Sequence, residues 1–565
     1  MSHITTATHH ASRGSGRAPA SPDKPPAFRR GLRHIGAVLG GSIVLAALLL
    51  FLANLAFAQS AQKKGPPDLK PFLVEDIYPG ATGSEPNHLV DFKGRLLFAA
   101  DHPDFGEELW RSNGTERGTR LVKDIDPGPL VIRDVENTET GSSAPDKVSL
   151  TQKGRKWIFF AATTASNGEE LWRSNGTEAG TSLVRDIVPG TGSSGAEEPV
   201  STAPRTTFFR AWDADHGEEL WKTDGTKRGT KLIKDINRDS PPGARCPQGE
   251  CGIPMGWSHP DTPAAMGKTL FFAADDGIHG VELWKSDGTA RGTTLVKDIN
   301  TLPGNSNPND TTGAVNRGAE VEKLFVVGKM LYFRANDGIH GVELWKSDGT
   351  ARGTTFVKDI NTAAPAPTST ACKRQKSCAG SSWADDLTLV GKTLYLTAND
   401  GIHGVELWKS DGTARGTTLV KDINPSSAST ASDTANLVAV GKTLFLSAND
   451  GTNGLELWKS DGTEAGTTLA KDINPGPADS DPDQLTAFGG LLFFRADDGV
   501  HGSEMWGSDG SNANTALLTD LEPGAVGSEP GELTTSGRFL YFAASNPSAG
   551  EELWAVPTRG ISKFK

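Results

Sequence analysis

The sequence predicts an all-β fold, a β-propeller of four-stranded antiparallel blades closed into a ring. Three observations carry this expectation. An anchor of an acid, an apolar residue and tryptophan recurs nine times, with its indoles at Trp110, Trp172, Trp221, Trp284, Trp345, Trp408, Trp458, Trp506 and Trp554. Around each anchor lie short apolar and aromatic runs broken by Asp-Gly and Gly pairs, which are strand and hairpin signals. Finally, the repeat region begins and ends in mid-unit: residues 72–77 match a fourth strand, whereas Glu552-Leu553-Trp554 match a third. The N-terminal fragment therefore completes the last blade, which pins the ring and leaves no orphan edge strand. Counted this way there are nine blades.

Each element of the unit has a local justification. In residues 484–521, QLTAFGG reads as a first strand and turn, LLFFRADDG as a second, SEMWGSDG as a third and TALLTDL as a fourth. Side chains alternate between the faces of a strand, and the motif tryptophan is large enough to wedge between neighbouring blades, where an aromatic of this size dominates packing. The Asp-Gly of SDGT and the later Gly of ARGT suit positive φ and a tight connection. The Asp of the recurrent KDI segment suits a turn cap or a cation ligand. Histidines recur in the DGxHG turns (His279, His340, His403, His501, with His216 at a related place), but Asn167 and Asn453 stand at the same position, which favours a turn preference over a metal ring.

Composition narrows the function classes. Apolar residues make up 36% and charged residues 22% of 565 residues, too polar for a multi-span membrane protein. The net charge of −12 argues against a nucleic-acid binder. Residues 1–34 are polar and basic, and residues 35–58 are apolar and end in Ala56-Phe57-Ala58. This is an export signal cleaved after Ala58 or an uncleaved membrane anchor; the chain is expected to be extracytoplasmic, touching a membrane only through 35–58. A linker at 59–71 leads into the repeats of 72–556, and 557–565 form a tail. With export, two close cysteine pairs are expected to be local disulfides, Cys246 with Cys251 and Cys372 with Cys378. No cofactor is expected: acid-rich turns such as 479–483 and 305–310 offer oxygens to calcium, but neither completes an EF-hand loop and both read as solvated turns, and no His accompanies either cysteine pair at zinc-ligand spacing.

The motif itself carries a resemblance. GVELWKSDGTARGTTLVKDIN occurs three times almost unchanged, at Val281, Val342 and Val405. The chain resembles the ELWxxDGT repeat family of bacterial exported proteins over residues 72–556, and its strand layout is similar to kelch-type blades. Asn113 and Asn175 replace the motif Asp in the first two repeats, and the eighth reads SDGSNANT. The resemblance implies fold and export, with no shared activity and no functional residue.

Four insertions follow Ile125, Ile236, Ile299 and Ile360, all in the connection from the fourth strand, so they crowd one face. Such loops mark the binding face of many repeat folds. Two of them also bring a tryptophan outside the motif, Trp257 and Trp383, each a stacking platform for a sugar ring or an apolar peptide side chain. No Gly-x-Ser-x-Gly elbow, His-Glu-x-x-His or P-loop is present. The expectation is a non-enzymatic propeller that binds an envelope glycan, polymer or protein through the insertion face, with Trp257 and Trp383 in the site. A structural or adhesion protein, and a propeller hydrolase or lyase, are the alternatives.

Overall fold

In the computed structural model the described residues are 69–127, 146–149, 156–238, 257–301, 318–362, 380–425 and 432–557. They form nine four-stranded antiparallel sheets and almost no helix, three single 3₁₀ turns such as Glu116–Gly118 being the exceptions. Blade 4 shows the pattern: Asp261–Met266, Thr269–Asp275, Val281–Ser286 and Thr294–Lys297 follow one another from the axis outward. The first strands of successive blades contact one another in an unbroken cycle, the ninth returning to the first. The ninth blade joins Gly531–Ser536, Phe539–Asn546 and Gly550–Pro557 to the N-terminal strand Phe72–Glu75, so the ring closes as expected. That strand stops two residues short of the expected 77.

Nine apolar cores lie between blades rather than within them. Trp345 of blade 5, for example, is buried with Phe271, Leu283, Val296 and Ile299 of blade 4. The motif lysine following the tryptophan reaches the other way and donates to the next blade's SDG turn: Lys285 Nζ to Gly349 O at 2.7 Å, Lys346 Nζ to Gly412 O at 2.7 Å. The KDI lysine of one blade lies over the next blade's indole, Lys358 Nζ being 5.4 Å from the Trp408 ring centroid. One repeat thus holds its neighbour through burial, a hydrogen bond and a cation–π contact.

The SDGTxxGT turn is built from its own side chains. Asp348 Oδ1 accepts the Thr350 N–H at 2.9 Å and its hydroxyl at 2.7 Å, and Ser347 and Thr354 share a hydroxyl bond of 2.7 Å. Gly349 has φ +88, as expected. The later glycine, Gly353, is needed for a different reason than expected: a Cβ there would lie 2.0 Å from Asp348 Oδ1. Gly353→Ala is therefore expected to cost about 1–3 kcal/mol by overpacking the turn, read as a shift in urea midpoint; an unchanged midpoint would contradict this packing.

The motif glutamate, to which the sequence reading assigned no role, is fully buried in every blade. It ties together both ends of the connection that carries the insertions. Glu343 accepts the N–H groups of Ile360 at 3.1 Å and Asn361 at 3.4 Å on one side, and that of Ser382 at 3.0 Å on the other. However long the intervening loop, the chain re-enters at a fixed point on the axial side. Its neighbour in space, the KDI aspartate, caps nothing with Oδ1: in Asp298, Asp359, Asp422 and their equivalents this atom is buried without a hydrogen-bond partner.

Residues 1–68 and the bodies of the four insertions lie outside the described residues, and with them the export or anchor segment. All four cysteines, Cys246, Cys251, Cys372 and Cys378, fall in those insertions. The structure therefore shows neither of the expected disulfides: the pairing of Cys246 with Cys251, and that of Cys372 with Cys378, stand on the sequence alone. Among the described residues no helix is long and apolar enough to cross a membrane.

Candidate active site at the axial mouth

The first strand of each blade starts at the insertion-bearing end of the axis, and its first residues line the mouth there. In seven of the blades two positions take left-handed backbone despite carrying side chains, for instance His259 (φ 41) and Thr262 (φ 47), Trp383 (φ 49) and Asp386 (φ 49), Asp481 (φ 46) and Gln484 (φ 52), and in blade 3 the pair is Gly195 (φ 55) and Glu198 (φ 50). A β-bulge lies between them and the regular ladder, as between Asp261 and Ala264. Non-glycine residues at positive φ are uncommon, and such strain gathers at functional sites. Here it turns a ring of side chains toward the axis. These positions differ from blade to blade, in contrast to the near-identical motif.

Two sectors of the mouth hold distinct constellations. The first lies at the junction of blades 3 and 4. Arg210, on the second strand of blade 3, pairs with Glu197 and sits with Nε 2.9 Å from Glu218 Oε1. Glu218 Oε2 in turn lies 2.5 Å from His259 Nδ1. In the neutral imidazole this contact places the proton on Nδ1 and leaves the lone pair on Nε2; Nε2 is buried and has no hydrogen-bond partner. Glu198 lies close to Asp261 and Arg210. Burial and the Asp261 charge push the Glu198 carboxyl up to about 7, against the pull of Arg210. Glu198 Oε2 and Thr262 Oγ1 are likewise buried without partners. A carboxyl group raised to about 7, an oriented imidazole and polar atoms without partners are thereby linked through Arg210 and Glu218.

The second sector spans blades 5 to 8 and surrounds an axial cavity of about 550 Å³ lined by Lys323, Asp385, Asp386, Asn436, Gln484 and Thr486 among others. Arg334 donates through Nε to Glu322 at 2.8 Å and through Nη1 to Asp385 at 3.1 Å. Its guanidinium lies 5.6 Å from the ring of Trp383, which is 50% exposed.

The sequence-predicted site residues are both at this mouth. Trp257 packs on His259, with ring centroids 5.5 Å apart, and Trp383 lies against Arg334, which donates to Asp385 of the cavity lining. The sequence placed them on the insertion face; the structure adds that they lie where the insertions return to the axis. The sequence reading missed Glu198, Arg210, Glu218, His259 and Asp261. The available signal was departure from the repeat: the second strand reads FFRAW or YFRAN at Arg210 and Arg334 where blade 4 has FFAAD.

The recurrent histidines do a turn's work. His340 Nδ1 and His403 Nδ1 each lie 2.7 Å from the Asp three residues before, and Asn453 Nδ2 makes the same contact with Asp450 at 2.8 Å. Among the described residues no group of three His, Cys, Asp or Glu is arranged to hold a metal ion. In the acid-rich turn 479–483, Asp479 accepts the Leu455 N–H at 2.6 Å and Asp483 accepts Arg495 Nε at 2.7 Å.

No family model matches the chain, and no curated protein matches it. Solved structures do. The chain is similar to one described in work on two prolyl endopeptidases (13% identity, 81% of this chain and 59% of that one, TM-score 0.36). It is also similar to prolyl oligopeptidase B from Galerina marginata (11%, 75% and 55%, TM-score 0.35) and to a puromycin-hydrolyzing peptidase of Mycobacterium tuberculosis (11%, 76% and 61%, TM-score 0.33). The chain thus spans less than two thirds of each, and at these scores the likeness assigns it no activity. The expectation of a non-enzymatic binder is nevertheless corrected. The ground is the axial mouth, where a buried imidazole and a carboxyl group raised to about 7 form acid–base equipment that a plain binding face does not need. This equipment is dispersed over two blades and forms no sequence motif.

Proposed function

We propose that the chain is a hydrolase working at the axial mouth, with His259 as proton acceptor and Glu198 as proton donor. The observation that supports it is a carboxyl group raised to about 7 that shares Arg210 with Glu218, which in turn holds an imidazole whose Nε2 is buried and unused. A general acid and base are most effective with pKa values near the working pH. In the reaction His259 Nε2 takes a proton from water as the water oxygen bonds to the electrophilic centre. The bond to the leaving group breaks, and Glu198 passes its proton to the leaving atom. The proton on His259 then returns to the Glu198–Asp261 pair, so the sum is the addition of one water. Glu218 and Arg210 are positioning residues that fix the imidazole. The ELWxxDGT resemblance and the segment 35–58 support placing this activity outside the cytoplasm, on an envelope polymer.

The test is turnover of extracytoplasmic glycans and peptides by the full chain, followed as new chain ends. Glu198→Gln and His259→Asn are each expected to lower kcat by roughly 10²–10⁴-fold with little change in KM. Arg210→Gln should lower kcat and move the alkaline limb of the pH profile upward, where Glu198 loses its proton, because the charge that opposes the rise of Glu198 is gone; a purely structural defect would not do this. Turnover that survives Glu198→Gln within about twofold would refute the assignment.

A further inference from the structure

We propose that the blade 5–8 sector of the mouth is a carbohydrate subsite that seats a neutral oligosaccharide over Trp383 and down the axial cavity. The inference rests on the reading of the mouth as the active site and names its substrate class.

Three observations converge on it. First, Trp383 is the one indole among the described left-handed rim positions; its counterparts in other blades are Glu85, His259, Glu320, Asp433, Asp481 and Glu529. Half of its surface is open, unlike the motif tryptophans, which are all buried. An open indole beside a polar cavity matches the apolar C–H face of a pyranose, and its position is fixed by Arg334 at one side. Secondly, the cavity offers mixed donors and acceptors: the ammonium of Lys323, the carboxylates of Asp385 and Asp386, and the side-chain amides of Asn436 and Gln484. Vicinal hydroxyl groups, each donor and acceptor at once, are the ligand chemistry that such a lining satisfies, since carboxylates accept, ammonium donates and amides do both. Thirdly, these groups are partly pre-set: Lys323 Nζ lies 3.2 Å from Asp385 Oδ1, Asp386 Oδ2 accepts the Asn436 N–H at 3.0 Å, and Asn436 Nδ2 donates to Ser447 Oγ at 3.1 Å. The side-chain carbonyl of Asn436 is then available to accept from a hydroxyl, and the Gln484 amide, exposed on the next blade, can adapt to the bound ring. The surrounding acids disfavour an anionic polymer.

The test uses the full chain carrying Glu198→Gln, so that bound sugar is not turned over, titrated with cellohexaose, xylohexaose and N-acetylated chitohexaose; oligogalacturonate and hexalysine serve as charged comparators. Saturable binding of at least one neutral hexasaccharide with quenching of indole fluorescence is expected. Trp383→Ala should weaken it about tenfold, Trp383→Phe should recover most of that loss, and Gln484→Ala should weaken it by roughly threefold. Ile402→Ser, on an exposed turn of blade 6 outside the cavity lining, should leave it unchanged. No neutral hexasaccharide bound, binding that Trp383→Ala leaves within about twofold, or stronger binding of hexalysine would each overturn the inference. The two readings fail separately. Sugar binding to a chain that lacks turnover keeps the subsite and removes the hydrolase, whereas Glu198-dependent turnover of peptides without sugar binding does the reverse.

Discussion

Truncating Trp408 to alanine is expected to lower stability by about 3–5 kcal/mol, whereas the same change at Trp383 should cost under about 1 kcal/mol. Trp408 is buried against Tyr332, Leu344, Val357 and Ile360 of the preceding blade, and Lys358 covers its ring. Its removal opens a cavity at a blade junction and deprives that lysine of its π-face. Each blade bonds only to its neighbours, so the ring has no other layer to absorb the loss. Trp383 contacts Arg334 at the rim and leaves no comparable hole. Urea denaturation of the two variants separates them; equal midpoints would show that the motif indoles are not what joins the blades.

The second large effect is on pH. Burial pushes the motif glutamates up from an ordinary 4.5: Glu170, Glu343, Glu406, Glu456 and Glu552 to about 7, Glu219 and Glu282 to about 8, with Glu504 raised in the same direction. The N–H and hydroxyl donors around each carboxyl oppose this rise without cancelling it. Between about pH 4.5 and 8 the folded chain then holds protons that the unfolded chain has released, so stability falls as pH rises through this window. A tenfold change in proton affinity corresponds to about 1.4 kcal/mol, and all of these carboxyls act in one direction. The melting temperature is expected to fall steadily from about pH 5 to pH 8 at constant ionic strength, and Glu343→Gln should flatten the slope. The turn aspartates, whose carboxyls Thr hydroxyls and N–H groups hold below their ordinary range, titrate below this window and shape the acid limb. A melting temperature that rises across the same range would contradict the account.

The fold was legible because its physics repeats. Nine indoles and nine buried glutamates each solve one local problem, and solving it nine times writes the same residues nine times, with SDG or a close variant at the turn of eight blades. Ring closure was legible for the same reason, since Phe72–Glu75 can pair only with a blade that lacks its fourth strand. The site was not legible, because it uses the positions at which the repeats disagree. Glu198, His259 and Asp261 are separated in sequence by an insertion and meet only because the motif glutamate returns the chain to the axis. Arg210 shares its strand position with Arg334 and Arg495, so its strand looks like an ordinary variant of the repeat. The two tryptophans outside the motif were visible as exceptions, but their placement at the axis follows from closure of the insertions by Glu219 and Glu343, which no local pattern displays.

The most direct measurement of the central claim is the protonation of Glu198 itself. Glutamate side chains labelled with ¹³C at the carboxyl, in the wild type and in Glu198→Gln, identify its resonance by difference across a pH titration. A midpoint near 7 that falls when Asp261 is changed to Asn, removing the neighbouring charge, is the predicted result. A midpoint near the ordinary 4.5 would mean that Glu198 is ionised at neutral pH, and the mouth would then have no acid to give.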